Sequence, residues 1–245
     1  MSKCRYDRAL TTAMVQYAET MGAPFPIEPQ LEVVTDKNFW ALAEMVGDTF
    51  VIRVSSGTAK ATAALWNAAF ADKEFCAGLG DAVDSGAKDL THISLVWLFL
   101  HEMHHFQMGH FAILGRSFLS ETFGGQQFAL GQRSSTRKPN SRSRASPISL
   151  EVEKCLEMQA DHDAIEMLLD AYSLDAWPSL RIRTCAVAGM MMLIEREDAK
   201  YAEAHSSHPK AATRIFQLFG HLIDMPTILA TLAQQRPAYD ATSFL

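Results

Sequence analysis

Cysteine is scarce: four residues, Cys4, Cys76, Cys155 and Cys185, stand far apart in a chain of 245. No Cys-x-x-Cys pair occurs, which argues against a disulfide framework and against a structural zinc ribbon and makes a reducing compartment the expectation. Long apolar runs are missing too. The longest, residues 93–100 and 185–194, fall well short of the roughly 20 residues that span a bilayer, so they predict buried helices and no membrane insertion. Basic excess is also lacking. A net charge of −6 does not supply the positive field of a general nucleic-acid or membrane-surface binder. The first ten residues mix Lys3, Arg5, Asp7 and Arg8 with no apolar segment behind them. No signal peptide is therefore expected, and the cytoplasm is the expected location.

What is present reads as an ordinary folded protein, 48% apolar and 20% charged, with enough length for one large domain. Helical spacing of apolar residues runs over 7–21 and stops at Gly22, Pro24 and Pro26. Residues 31–35 suggest a short strand. Asp36 looks like an N-cap for a helix carrying Phe39, Trp40, Leu42 and Met45. Residues 49–54, reading TFVIRV, are the best strand candidate, followed by a helix over 59–70. A long helix is expected from about 91 to 114, with Gly115 as its stop. Further helices are expected over 150–171, 178–201 and 209–222.

Residues 132–149 break the pattern. They hold Arg133, Arg137, Lys138, Arg142 and Arg144, many serines and no acidic residue, and predict a mobile basic loop. Such a loop suits a lid or a docking strip for a regulatory partner. The expectation is a single α+β domain over 1–245, predominantly helical, in which 1–48 form an N-terminal helical and strand extension.

Residues 101–105 read His-Glu-Met-His-His, an H-E-x-x-H pattern inside a segment expected to be helical. Residues four apart share a helix face, so His101 and His105 can turn both imidazoles to one metal ion. Glu102 lies about 100° further round, placed to reach a water on that metal without being a ligand. At this composition the pattern arises by accident about 0.02 times per chain. The apolar run that precedes it implies burial, and two histidines with a carboxylate are costly to bury together unless something pairs with them.

A catalytic zinc usually takes three protein ligands and keeps a fourth position for water. The H-E-x-x-H-x-x-G-x-x-H arrangement is excluded, because Met108 and Phe111 occupy its glycine and third-histidine positions. A glutamate on a later helix is the alternative. Glu157 and Asp161 share a helix face, so Glu157 can ligate while Asp161 accepts a hydrogen bond from a ligand imidazole. A di-iron carboxylate bundle needs a second Glu-x-x-His, but Ala160 stands where the histidine would be.

The segment His101-Glu-Met-His-His-Phe-Gln-Met-Gly-His110 resembles the H-E-L-G-H-W-x-x-x-H segment of HtpX-type and CAAX-prenyl-protease-type gluzincins. Glu157-Met-Gln-Ala-Asp161 is similar to their E-x-x-A-D box, and His208-Pro-Lys-Ala-Ala-Thr-Arg214 to their His-Pro motif. Those families are mostly membrane-embedded, so the soluble phage-exclusion Lit-type peptidases are the nearer comparison.

The resemblance implies a zincin-like fold with a small sheet, one zinc ion per chain on His101, His105 and Glu157, and hydrolysis of a protein or peptide substrate. Glu102 would be the general base, and His208 and Arg214 would face the developing oxyanion. His110 would support the ligands from behind. The strand Phe50, Val51, Ile52, Arg53 and Val54 would hold an extended substrate as an added strand. A catalytically silent zinc-fold sensor or protein-binding module is the alternative. His104, off the 101/105 face, is expected to be exposed, as are His162 and Asp163. Met190, Met191 and Met192 are expected in the core.

Overall fold

A computed structural model describes residues 2–80, 85–113, 127–130, 147–169, 177–199 and 209–235. Helix α1 (Ser2–Met21) precedes strands β1 (Gln30–Val34), β2 (Ala41–Val46) and β3 (Thr49–Ser55). Helices α2 (Ser56–Ala71) and α3 (Lys73–Leu79) lead to α4 (Ala87–Gln107) and the single turn α5 (His110–Ile113). Strand β4 (Gln127–Leu130) and helices α6 (Pro147–Leu169), α7 (Trp177–Asp198) and α8 (Ala211–Gln235) follow. The architecture is α+β and predominantly helical, as expected. No helix among the described residues is long and apolar enough to cross a membrane.

The sheet order is β1-β3-β2-β4, with β1 parallel to β3 and β2 antiparallel to both of its neighbours. Val46 pairs with Thr49 across the two-residue turn Gly47-Asp48, and Gly47 takes φ +60°. Left-handed backbone of this kind suits tight hairpins and favours glycine.

Three local expectations are corrected. The helix expected after Asp36 is strand β2. All of Ala41–Met45 is buried, because β2 lies inside the sheet with α4 packed on it. Asp36 does not cap a helix. Its carboxylate accepts from the Asn38 amide at 2.9 Å and the Trp40 indole at 2.8 Å. The long helix ends at Gln107 rather than near Gly115, since Gly109 turns left-handed at φ +67° and starts α5. Residues 147–149 of the expected loop belong to α6. The rest of that loop, 132–146, lies outside the described residues.

Helix α4 is the axis of the core. Asp89 reaches back to the Gly86 amide at 2.9 Å and closes its N-terminus. Every residue from Ser94 to His105 is buried, because α1, α2, α6, α7 and the sheet surround the helix. At the opposite end of the core, the Tyr6 hydroxyl of α1 donates to the Ser55 carbonyl at 2.6 Å and accepts from the Ala59 amide at 2.6 Å. One side chain thus joins α1, β3 and α2.

Candidate metal centre

Trp97, His101 and His105 follow one another at four-residue spacing along α4 and face α6. Glu157, Ala160, Asp161 and Ala164 form the facing stripe of α6, and all are buried. The two alanines have no side chain beyond Cβ, so the helices come close enough for the longer groups to meet.

His101 Nε2 and His105 Nε2 are 3.1 Å apart. Glu157 Oε2 is 3.4 Å from His101 Nε2, and Glu157 Oε1 is 3.6 Å from His105 Nε2. Ligand atoms about 2.0–2.1 Å from a tetrahedral zinc stand about 3.3 Å from one another. The spacings, measured to the two oxygens of Glu157 in turn, approach that edge. This cluster could hold a metal ion.

Hydrogen bonding behind the ligands fixes their tautomers. Asp161 Oδ1 lies 2.9 Å from His101 Nδ1, and because an ionised carboxylate only accepts, this contact favours a proton on Nδ1 and leaves Nε2 facing the cluster. On the other ligand, His105 Nδ1 is 2.9 Å from His110 Nδ1, whose Nε2 is 3.2 Å from Gln159 Oε1. The Gln159 carbonyl oxygen accepts from His110 Nε2–H, His110 Nδ1 then accepts from His105 Nδ1–H, and the His105 Nε2 lone pair also faces the cluster. A metal ion held between these groups would take the place of the proton that His101 Nε2 otherwise shares with His105 Nε2 across their 3.1 Å contact.

The electrostatics agree. Burial opposes charge on His101, but Asp161 and Glu157 outweigh it and raise its pKa to about 9. Burial likewise would raise Asp161, yet Arg214 and His101 hold it down at about 2. Glu102 is fully buried, and neither of its oxygens has a hydrogen-bond partner in good geometry among the described residues. Burial pushes its pKa up to about 8. His101 opposes that rise, Glu157 adds to it, and the Ala43 amide of β2 gives the weakest opposing contribution.

No family model matches the chain, and no curated protein or solved structure matches it either. The reading of this centre therefore rests on its own geometry.

Of the residues singled out from sequence, His101, Glu102, His105, His110, Glu157 and Asp161 come together here. His208 lies outside the described residues. Arg214 forms an ion pair with the acidic face of α6. Its Nε and Nη2 bind Asp161 Oδ2 and Oδ1 at 2.5 and 2.6 Å, beneath the Trp97 ring. His110 reaches the centre because the chain turns at Gly109. On an uninterrupted helix it would point away.

His104 is buried, not exposed. No face of α4 meets solvent here, and its Nδ1 binds the Leu100 carbonyl at 2.7 Å. Burial lowers its pKa to about 4 and keeps it neutral. His162 and Asp163 are half-buried, because this part of α6 packs against α8. Met190 and Met191 are core residues, whereas Met192 is exposed.

The expectation that residues 50–54 hold a substrate strand is also corrected. Strand β3 pairs with β1 on one edge and β2 on the other, so no backbone edge is open. Phe50, Val51, Ile52 and Val54 are buried, and Arg53 forms ion pairs with Glu32 and Glu44 on neighbouring strands. Gln159 and Trp97 were missed. Gln159 lay inside the E-x-x-A-D box, but its target His110 is brought near only by the turn at Gly109.

Proposed function

We propose that the chain is a zinc-dependent endopeptidase with a zincin-like fold of the gluzincin type. One observation carries this reading. Glu102 is a fully buried carboxylate with no hydrogen bond of good geometry among the described residues, and it interacts electrostatically with His101 and Glu157 of the candidate ligand set. A structural site would need the three ligands but not Glu102. Two nitrogens and one oxygen suit zinc better than hard cations such as magnesium or calcium.

His101, His105 and Glu157 would hold the metal, which when bound polarises a water and a substrate carbonyl. The chain's own part is proton handling and positioning. Glu102 takes the proton from the attacking water and passes it to the leaving amine. Burial raises its pKa, and a cation held beside it would favour the ionised form a base needs. Asp161, held by Arg214, orients His101, and the His110–Gln159 relay orients His105. His208 would supply the oxyanion donor, on the strength of the His-Pro resemblance alone.

A second reading has one observation in its favour. Every ligand side chain and Glu102 is buried, which also suits a catalytically silent metal-dependent sensor or binding module. Comparing Glu102→Gln with His101→Ala separates the two, because only an enzyme needs the base. The substrate is proposed to be a protein or peptide, with the basic residues between 132 and 149 available to a regulatory partner.

A further inference from the structure

A second cluster of metal-ligating side chains lies away from this centre, in the cleft of about 480 Å³ between α6 and α8. His162 and Glu166 stand one turn apart on α6, and His221 faces them from α8. Glu166 Oε1 is 3.6 Å from His162 Nε2 and 3.9 Å from His221 Nδ1. The two imidazole rings are 4.3 Å apart, centroid to centroid. These separations are too long for hydrogen bonds. Yet one potential ligand atom from each residue lies within 4.8 Å of the others, and the two contacts to Glu166 exceed the roughly 3.3 Å edge of a tetrahedral zinc site by only a few tenths of an ångström. His221 Nε2 is buried and has no hydrogen-bond partner among the described residues. Asp224, one turn further along α8, lines the same cleft.

We propose that His162, Glu166 and His221 form a second site for a divalent transition-metal ion of the zinc class. Two imidazoles and one carboxylate select such ions over magnesium or calcium. Closing the cluster needs only small side-chain movements, because Glu166 is exposed and His162 half-buried. The ion ties α6 to α8. The same two helices are joined by Asp161, which directly precedes His162, and by Arg214, two turns before His221. The half-open position makes this the weaker and more exchangeable of the two sites.

Cobalt(II) and zinc(II) titrations of the full chain test this, read by bound metal per chain and by cobalt absorption. The wild type is expected to bind two equivalents. His162→Ala, His221→Ala and Glu166→Gln are each expected to lose the weaker equivalent and keep the tighter. His101→Ala is expected to keep the weaker one, and zinc should still raise its melting temperature. That variant makes the test independent of the centre on α4, since failure of that centre leaves the equivalent sensitive to His221→Ala in place. Metal stoichiometry and cobalt spectra unchanged by all three cleft substitutions would overturn the second site.

Discussion

Arg214 of α8 grips both carboxylate oxygens of Asp161 on α6, at 2.5 and 2.6 Å, while Asp161 Oδ1 lies 2.9 Å from the Nδ1 of His101 on α4. Three helices are thus joined through one carboxylate, and Arg214 bears on the orientation of His101 through Asp161. All three groups are buried, so each depends on the others for its charge balance.

Removing Arg214 should therefore be felt at the metal. Arg214→Ala is expected to lower stability by about 3–5 kcal/mol, because Asp161 is left as a buried charge without its partner. It is also expected to weaken zinc binding by about 10–100-fold. Arg214→Lys keeps the charge but not the two-pronged geometry and should fall between. Urea denaturation and chelator competition read the two effects. Unchanged zinc affinity in Arg214→Ala would remove Arg214 from the account of the centre.

The His105 side of the centre makes a separate prediction. Glu157→Ala should abolish metal retention outright, whereas His110→Ala and Gln159→Leu should weaken it by about tenfold or more, since they remove only the hydrogen bonds behind a ligand. Elemental analysis after dialysis against a chelator distinguishes the two grades. Full zinc occupancy in Glu157→Ala would require a different third ligand.

Tyr6 tests the fold away from the metal. Tyr6→Phe strips a partner from the buried Ala59 amide and Ser55 carbonyl, and should cost about 1–3 kcal/mol. Burial, opposed by the Ala59 hydrogen bond, raises the Tyr6 pKa from 10.0 to about 12. A raised folded-state pKa means that its contribution is fully present below pH 10 and is lost as pH rises through about 12. The alkaline loss of stability between those values should be smaller in Tyr6→Phe, measured by thermal melts across the range.

Gly57 offers a steric test. A Cβ there would run into the backbone carbonyls of Lys37 and Asn38, which cannot move aside as a side chain can. Gly57→Ala should destabilise by about 3 kcal/mol or more. A melting temperature equal to that of the wild type would show that the segment before β2 can shift.

The centre was legible from sequence where helical periodicity converts spacing directly into geometry. His101 with His105, and Glu157 with Asp161, are four apart on helices, so each pair had to share a face. The contacts between those pairs and Arg214 were not legible as geometry, because they join positions far apart in the chain, such as Asp161 and Arg214 or His105 and Glu157. Strand β2 was misread because its apolar residues fill both faces, and a short run of that kind fits a buried helix as well as a buried strand. Gly47-Asp48, a two-residue turn ahead of TFVIRV, was the signal that could have decided it. The end of α4 turned on choosing Gly109 or Gly115, and that choice also decides where His110 points.

The central claim is that Glu102 is a base and not a structural carboxylate. Glu102→Gln keeps the size of the side chain, removes the base, and leaves His101, His105 and Glu157 intact. His101→Ala removes a ligand. The measurement compares both variants with the wild type for zinc content, melting temperature and cleavage of a protein substrate identified by proteolysis profiling. Glu102→Gln is expected to retain zinc and fold normally while cleavage falls by several orders of magnitude, and His101→Ala should lose metal, stability and cleavage together. Full biological activity in Glu102→Gln, with none in His101→Ala, would contradict the peptidase and leave a metal-dependent sensor.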